Sequence, residues 1–159
     1  MKEQKPRDII RNISFIYWAM LLGLVTFIVV TSLFVSNVGE VIISDPHTAY
    51  ILKTVLIFIL IVIAPISYLL PQKQINNIDK EQKLTVKLAA YHTASLIRFT
   101  LMNSAGILIA LGFMLTANTN LIFLQAVVIL FFLIYKPSPF KIASDLELDQ
   151  NERQQIMPE

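Results

Sequence analysis

Apolar residues in this chain fall into four long blocks, separated by short polar stretches. The blocks are residues 13–35, 51–70, 91–116 and 121–135. Hydrocarbon about 30 Å thick needs roughly 20 apolar residues wound as helix. The first three blocks meet that length. The fourth is short, but Lys136 can snorkel and the Asn118-Thr119-Asn120 turn can sit among headgroups. The pattern predicts an all-α, integral membrane four-helix bundle made of two antiparallel hairpins. Residues 1–12 would precede the spans, 13–135 would form the transmembrane domain, and 136–159 would be a tail.

The polar stretches carry start and stop signals. Pro6 suits a first helical position, which makes Arg7–Asn12 an interfacial turn leading into the first span. Lys2, Lys5, Arg7 and Arg11 could be the n-region of a signal peptide, but the apolar run after them is too long for an h-region. A retained signal-anchor is expected. Asp45-Pro46 favours a turn and a fresh helix start. Pro65 should kink the second span and Pro71 should end it. Lys80–Leu88 has helical spacing, so the third helix begins before its apolar block. Lys136-Pro137-Ser138-Pro139 cannot continue a helix. Ser144–Glu147 and Asp149–Glu152 both match a capping box, and the second is taken as the start of a short last helix.

Composition supports the membrane class. Of 159 residues, 55% are hydrophobic and only 15% charged, against about a quarter in soluble domains. Net charge is a mere +2, so its distribution matters more than its sum. Lys and Arg gather in the N-terminal segment, in residues 72–87 and in the tail. The positive-inside rule then places both termini in the cytoplasm.

The third block is the most polar of the four. At about 100° per residue, Ile97, Leu101, Leu108, Leu111 and Leu115 share one side, the expected lipid face. Ser95, Arg98, Met102, Gly106, Ala110 and Phe113 fall opposite, flanked by His92 and Asn103. Charged side chains inside a span usually face protein or water. One reading is therefore a polar cavity or lipid contact built from Arg98, Asn103, His92, Ser95 and Tyr68. The plainer and favoured reading has Arg98 snorkelling to the inner interface and Asn103 making an interhelical hydrogen bond of about 0.6 kcal/mol. Ala19 with Gly23, and Gly106 with Ala110, are small pairs four residues apart that allow helices to approach closely.

Other features narrow the chemistry. The spans carry no Asp or Glu, which argues against proton- or cation-coupled transport. Glu40, Asp45 and His47 share a loop, but such residues are ordinarily just solvated. His47 and His92 belong to different connections, and no Gly-rich phosphate loop or basic aromatic stripe is present. No enzyme, cofactor, metal or nucleic-acid partner is expected.

Thr93-Ala94-Ser95-Leu96-Ile97-Arg98 runs into the small-residue stretch Asn103–Gly106. Later, Tyr135-Lys136-Pro137 is followed by Lys141 and by Asp145-Leu146-Glu147-Leu148. In these motifs the second half of the chain resembles small four-span bacterial inner-membrane proteins of no known activity. The resemblance implies a bacterial cytoplasmic membrane and adds no site residues. The expected function is that of a non-enzymatic membrane protein working through helix–helix contacts, as a homo-oligomer or an accessory subunit among membrane lipids. The alternative is a small transporter or a lipid- or anion-binding protein using the Arg98 cavity.

Overall fold

A computed structural model describes residues 6–38, 42–79 and 81–157. Lys2, Lys5, Glu40 and Lys80 lie outside the described residues. Among those described there are six helices and no strand: α1 Pro6–Val38, α2 Pro46–Asn76, α3 Leu84–Thr116, α4 Asn120–Ile134, α5 Pro139–Asp145 and α6 Gln150–Ile156. Three helices (α1, α2 and α3) are long and apolar enough to cross a membrane, or four if α4 and α5 count as one broken span. These are the elements of a multi-pass membrane protein.

The helix starts follow local chemistry. Within the described residues α1 runs from Pro6. It then runs unbroken through Arg11 into the first apolar block. Asp45 caps α2, its carboxylate accepting the amides of His47 at 3.4 Å and Thr48 at 2.9 Å. The capping box at the start of α6 is complete. Asp149 accepts the Glu152 amide at 2.7 Å, and Glu152 accepts the Asp149 amide at 3.3 Å. Ser144–Glu147 starts no helix, and Glu147 adopts a left-handed φ of 49°.

One stop differs from expectation, and the other holds but is followed by a new helix. Pro71 does not end α2, which continues to Asn76. A proline already has a helical φ, and the helix carries it here at the cost of a missing bond to the Ser67 carbonyl and crowding against that carbonyl. The chain does leave α4 at Tyr135, but it restarts as α5 after a bend of 77°. Ser138 caps the new helix by accepting the Lys141 amide at 3.2 Å, with Pro139 in its first turn. A serine–proline pair of this kind ends one helix and begins the next.

α3 is the central pillar. It packs against α1, α2 and α4, whereas α1 and α2 make few contacts with each other. Tyr17 sets its ring edge-on to Phe99 at 5.4 Å and donates its hydroxyl to the Phe132 carbonyl at 3.0 Å, which ties α1, α3 and α4 together. Gln125 of α4 donates to the Gly106 carbonyl at 2.7 Å. At the loop end, the Ile43 amide bonds the Leu115 carbonyl at 2.9 Å.

The stretch after α4 is not a free extension. Ile142, Ala143, Leu146, Leu148 and Ile156 share one core with Ile9, Ile10 and Ile13 of α1 and with Leu84 and Leu88 of α3. A part-buried ion pair, Lys87 to Glu152 at 2.8 Å, fastens α6 to α3.

The two small-residue pairs part company. Gly106 and Ala110 are buried, and a Cβ on Gly106 would stand 2.7 Å from Leu24 Cδ1 and 3.3 Å from Val128 Cγ1. Ala19 and Gly23 lie on the outer side of α1, and a Cβ on Gly23 would meet nothing within 4 Å. The face α1 turns inward is Ile13, Tyr17, Leu21 and Leu24 instead. The Ala19–Gly23 stripe therefore faces outward, away from the packed side of α1.

Candidate functional site

Tyr91, Ser95, Arg98 and Met102 are three or four residues apart, which puts them on one line along α3. All four are buried, and Arg98 is 3% exposed. It is not at the surface, so the snorkelling position is corrected: α2 and the end of α4 close over it. The guanidinium carbon lies 5.8 Å from the Tyr68 ring centroid and 5.0 Å from that of Tyr135. The two rings are 5.9 Å apart and form an aromatic cover. Aromatic faces attract a cation, by up to about 2 kcal/mol when desolvated. They accept none of its in-plane hydrogen bonds. Arg98 Nε and Nη2 are buried with no hydrogen-bond partner among the described residues.

α5 brings a second cation. Lys141 Nζ lies 5.0 Å from the same Tyr135 ring centroid and donates to the Ile134 carbonyl at 3.2 Å. Asp145, one turn further on, accepts the Tyr91 hydroxyl at 3.1 Å. Ser95 lies within reach of that phenol too. Burial holds the Lys141 ammonium below its ordinary pKa, and Arg98 pushes the same way, while Asp145 opposes them. Among the described residues neither Arg98 nor Lys141 is in a salt bridge. The cluster therefore carries two cations against one carboxylate. A cavity of about 200 Å³ opens beside Asp145 and Lys87 at the end of α2, but Arg98 is not in its wall.

The five polar residues singled out from the sequence do not form one site. Arg98, Ser95 and Tyr68 come together. His92 and Asn103 sit about 120° and 140° round the helix from Arg98. His92 lines a small groove with Ile9 and Asn12 of α1. Both are half-buried, and His92 Nε2 and Asn103 Oδ1 are buried without partners. Asp45, from the acidic loop set, is engaged as the α2 cap.

Tyr91, Tyr135, Lys141 and Asp145 were missed as site residues. A signal for them did exist. Ser138-Pro139 predicts a helix start, and Lys141 and Asp145 then share one face of it four residues apart. What no pattern along the chain revealed is the 77° bend that returns this helix to α3. In comparisons with protein-family models, with curated proteins and with solved structures, the chain finds no match in any of the three.

Proposed function

We propose that this chain is a non-enzymatic four-span membrane protein that binds an anion at Arg98, with both termini in the cytoplasm. The single observation that carries the reading is a guanidinium 3% exposed whose Nε and Nη2 have no hydrogen-bond partner among the described residues. An isolated buried cation is among the costliest groups a protein can hold, and an anion relieves it. Planar guanidinium also matches carboxylate or phosphate with paired hydrogen bonds. The Lys and Arg distribution supports the orientation, and the bacterial inner-membrane resemblance supports the compartment. The site then lies at the cytoplasmic level of the bilayer.

The test is melting temperature in zwitterionic micelles with and without anionic lipid, for wild type and Arg98→Gln. A rise in wild type that is absent from the variant is expected. Equal behaviour of the two removes the reading.

A second reading has its own observation. Ala19 and Gly23 present a small-residue stripe on the outer face of α1, open beyond Gly23. The stripe suits close approach of another helix, from a second copy or a different membrane protein. Crosslinking in native membranes, with and without Gly23→Leu, checks it. Loss of a crosslinked species in the variant is expected, and an unchanged pattern removes this reading.

A further inference from the structure

We infer that Lys141 is the second half of the Arg98 site, and that the two cations together seat the phosphate group of one anionic ligand, with the Tyr135 ring held between their demands. The inference rests on the anion-binding reading above. It adds a residue outside the spans, a ligand class and a route.

The first ground is charge. Arg98 and Lys141 both lean on Tyr135, each at 5.0 Å from its centroid, and neither has a carboxylate in salt-bridge contact among the described residues. Asp145 supplies one negative charge nearby and is already hydrogen-bonded by Tyr91. One positive charge is left over, which a monoanion such as a phosphodiester would cancel. Guanidinium and ammonium are both common donors to phosphate oxygens, the first as a fork and the second as a point charge.

The second ground is position. Trp18 is 45% exposed beneath Lys136, whose Nζ stands 5.5 Å from its ring centroid. Phe140, adjacent to Lys141, is 71% exposed, and Tyr68 is 42% exposed. Exposed aromatic rings mixed with lysines mark the level where lipid headgroups lie. A headgroup at that level meets Lys141 first. Tyr68 and Tyr135 cover Arg98 on that side, so their rings must turn for the phosphate to reach Nε and Nη2. The same phosphate chemistry is offered by a lipid headgroup and by free phosphate, and the belt favours the lipid.

The experiment is the melting temperature of the full chain in phosphatidylcholine nanodiscs, in nanodiscs containing phosphatidylglycerol, and in the former with inorganic phosphate added. Lipid saturating the site should raise the wild-type midpoint by about 5 °C. Lys141→Gln and Arg98→Gln should each lose that rise, and Lys141→Arg should keep it. A rise with phosphatidylglycerol alone identifies the lipid, and one with inorganic phosphate alone identifies the free anion. If Lys141→Gln responds as wild type while Arg98→Gln does not, this inference is overturned and the anion-binding reading survives. If wild type responds to neither ligand, both fall. Should Arg98→Gln fail to fold, the Lys141→Gln and Lys141→Arg pair decides the matter without it.

Discussion

α2 and α3 are nearly equal in length, 31 and 33 residues, yet they occupy opposite situations. The most apolar window of α2 is only 11% buried inside the molecule, whereas that of α3 is 50% buried and the less apolar of the two. In a soluble protein the more apolar helix would be the inner one. Here apolarity suits a helix to lipid, which is as oily as any leucine, so burial of apolar surface gives no preference for the inside. What draws a helix to the centre is close packing and shared polar bonds. α3 has both, in Gly106, Ala110 and Gly112 and in its bond to Gln125. α2 shares the close approach at Gly112, where its Leu56 packs, but turns most of its remaining surface outward.

The largest effect should come from filling the close approach. Gly106→Leu pushes into Leu24 and Val128, two side chains that are themselves fully buried. Overpacking of this size costs about 3 kcal/mol or prevents folding. Gly23→Leu on α1 faces open space and should leave the monomer's melting temperature unchanged. Thermal unfolding of the two variants in mild detergent checks the pair. Equal losses would mean that α3 is not the packing centre.

The next effect separates the aromatic residues. Phe99 on α3 is 3% exposed and touches Tyr17 edge-on, while Phe58 on α2 is 66% exposed. Phe99→Ala should cost about 3 kcal/mol, the low end for a buried phenylalanine, through the cavity it leaves. Phe58→Ala exchanges one lipid contact for another and should be near neutral. The same unfolding assay reads both.

Much of α3 was legible from its periodicity. Ser95, Arg98, Met102, Gly106, Ala110 and Phe113 were placed on one inner face, and all six are buried. Two helix starts were legible from their caps, at Asp45-Pro46 and at Asp149–Glu152. The expected lipid face of α3 was less legible. Ile97, Leu101, Leu111 and Leu115 are half-buried, because a helix with neighbours on three sides has little outside left. Arg98 was misplaced for a related reason. Its position early in the third block suggested the surface, but depth is set by what lies over it, and Tyr68 and Tyr135 come from segments far away in sequence. The Ala19–Gly23 pair shows the converse. Spacing identifies a stripe of small residues but not the side from which a partner comes.

Polar contacts should separate α2 from α3 by less. Gln125 donates to Gly106, but its own Oε1 is buried without a partner. Gln125→Leu loses a bond worth about 0.6 kcal/mol and also removes an unsatisfied oxygen. The net change should stay within about 0.6 kcal/mol. Among the described residues Thr54 of α2 bonds only the Tyr50 carbonyl of its own helix, so Thr54→Val should be silent. Unfolding midpoints resolve the two, and a large loss for Gln125→Leu would show that the α3–α4 contact depends on this bond more than on packing.

The smallest effect is a pH dependence, and it contrasts the two ends of the molecule. At the loop end, hydrogen bonds from Thr48 and His47 lower the Asp45 pKa. A lowered carboxylate contributes stability above its unfolded pKa, and that contribution is lost as pH falls through the folded value. At the other end, burial and the neighbouring Arg98 lower the Lys141 pKa, against the pull of Asp145. Here the fold disfavours the charged form. Below the folded pKa both states hold the proton and stability is flat. Between the folded pKa and the ordinary 10.5, the unfolded chain binds more protons, so stability rises with pH, and above 10.5 it is flat again. The melting temperature in zwitterionic micelles should therefore climb gently across the alkaline side, and Lys141→Gln should flatten the climb. An anion seated between Lys141 and Arg98 restores the lysine pKa and should flatten it as well. A climb that persists in Lys141→Gln would assign it to another group.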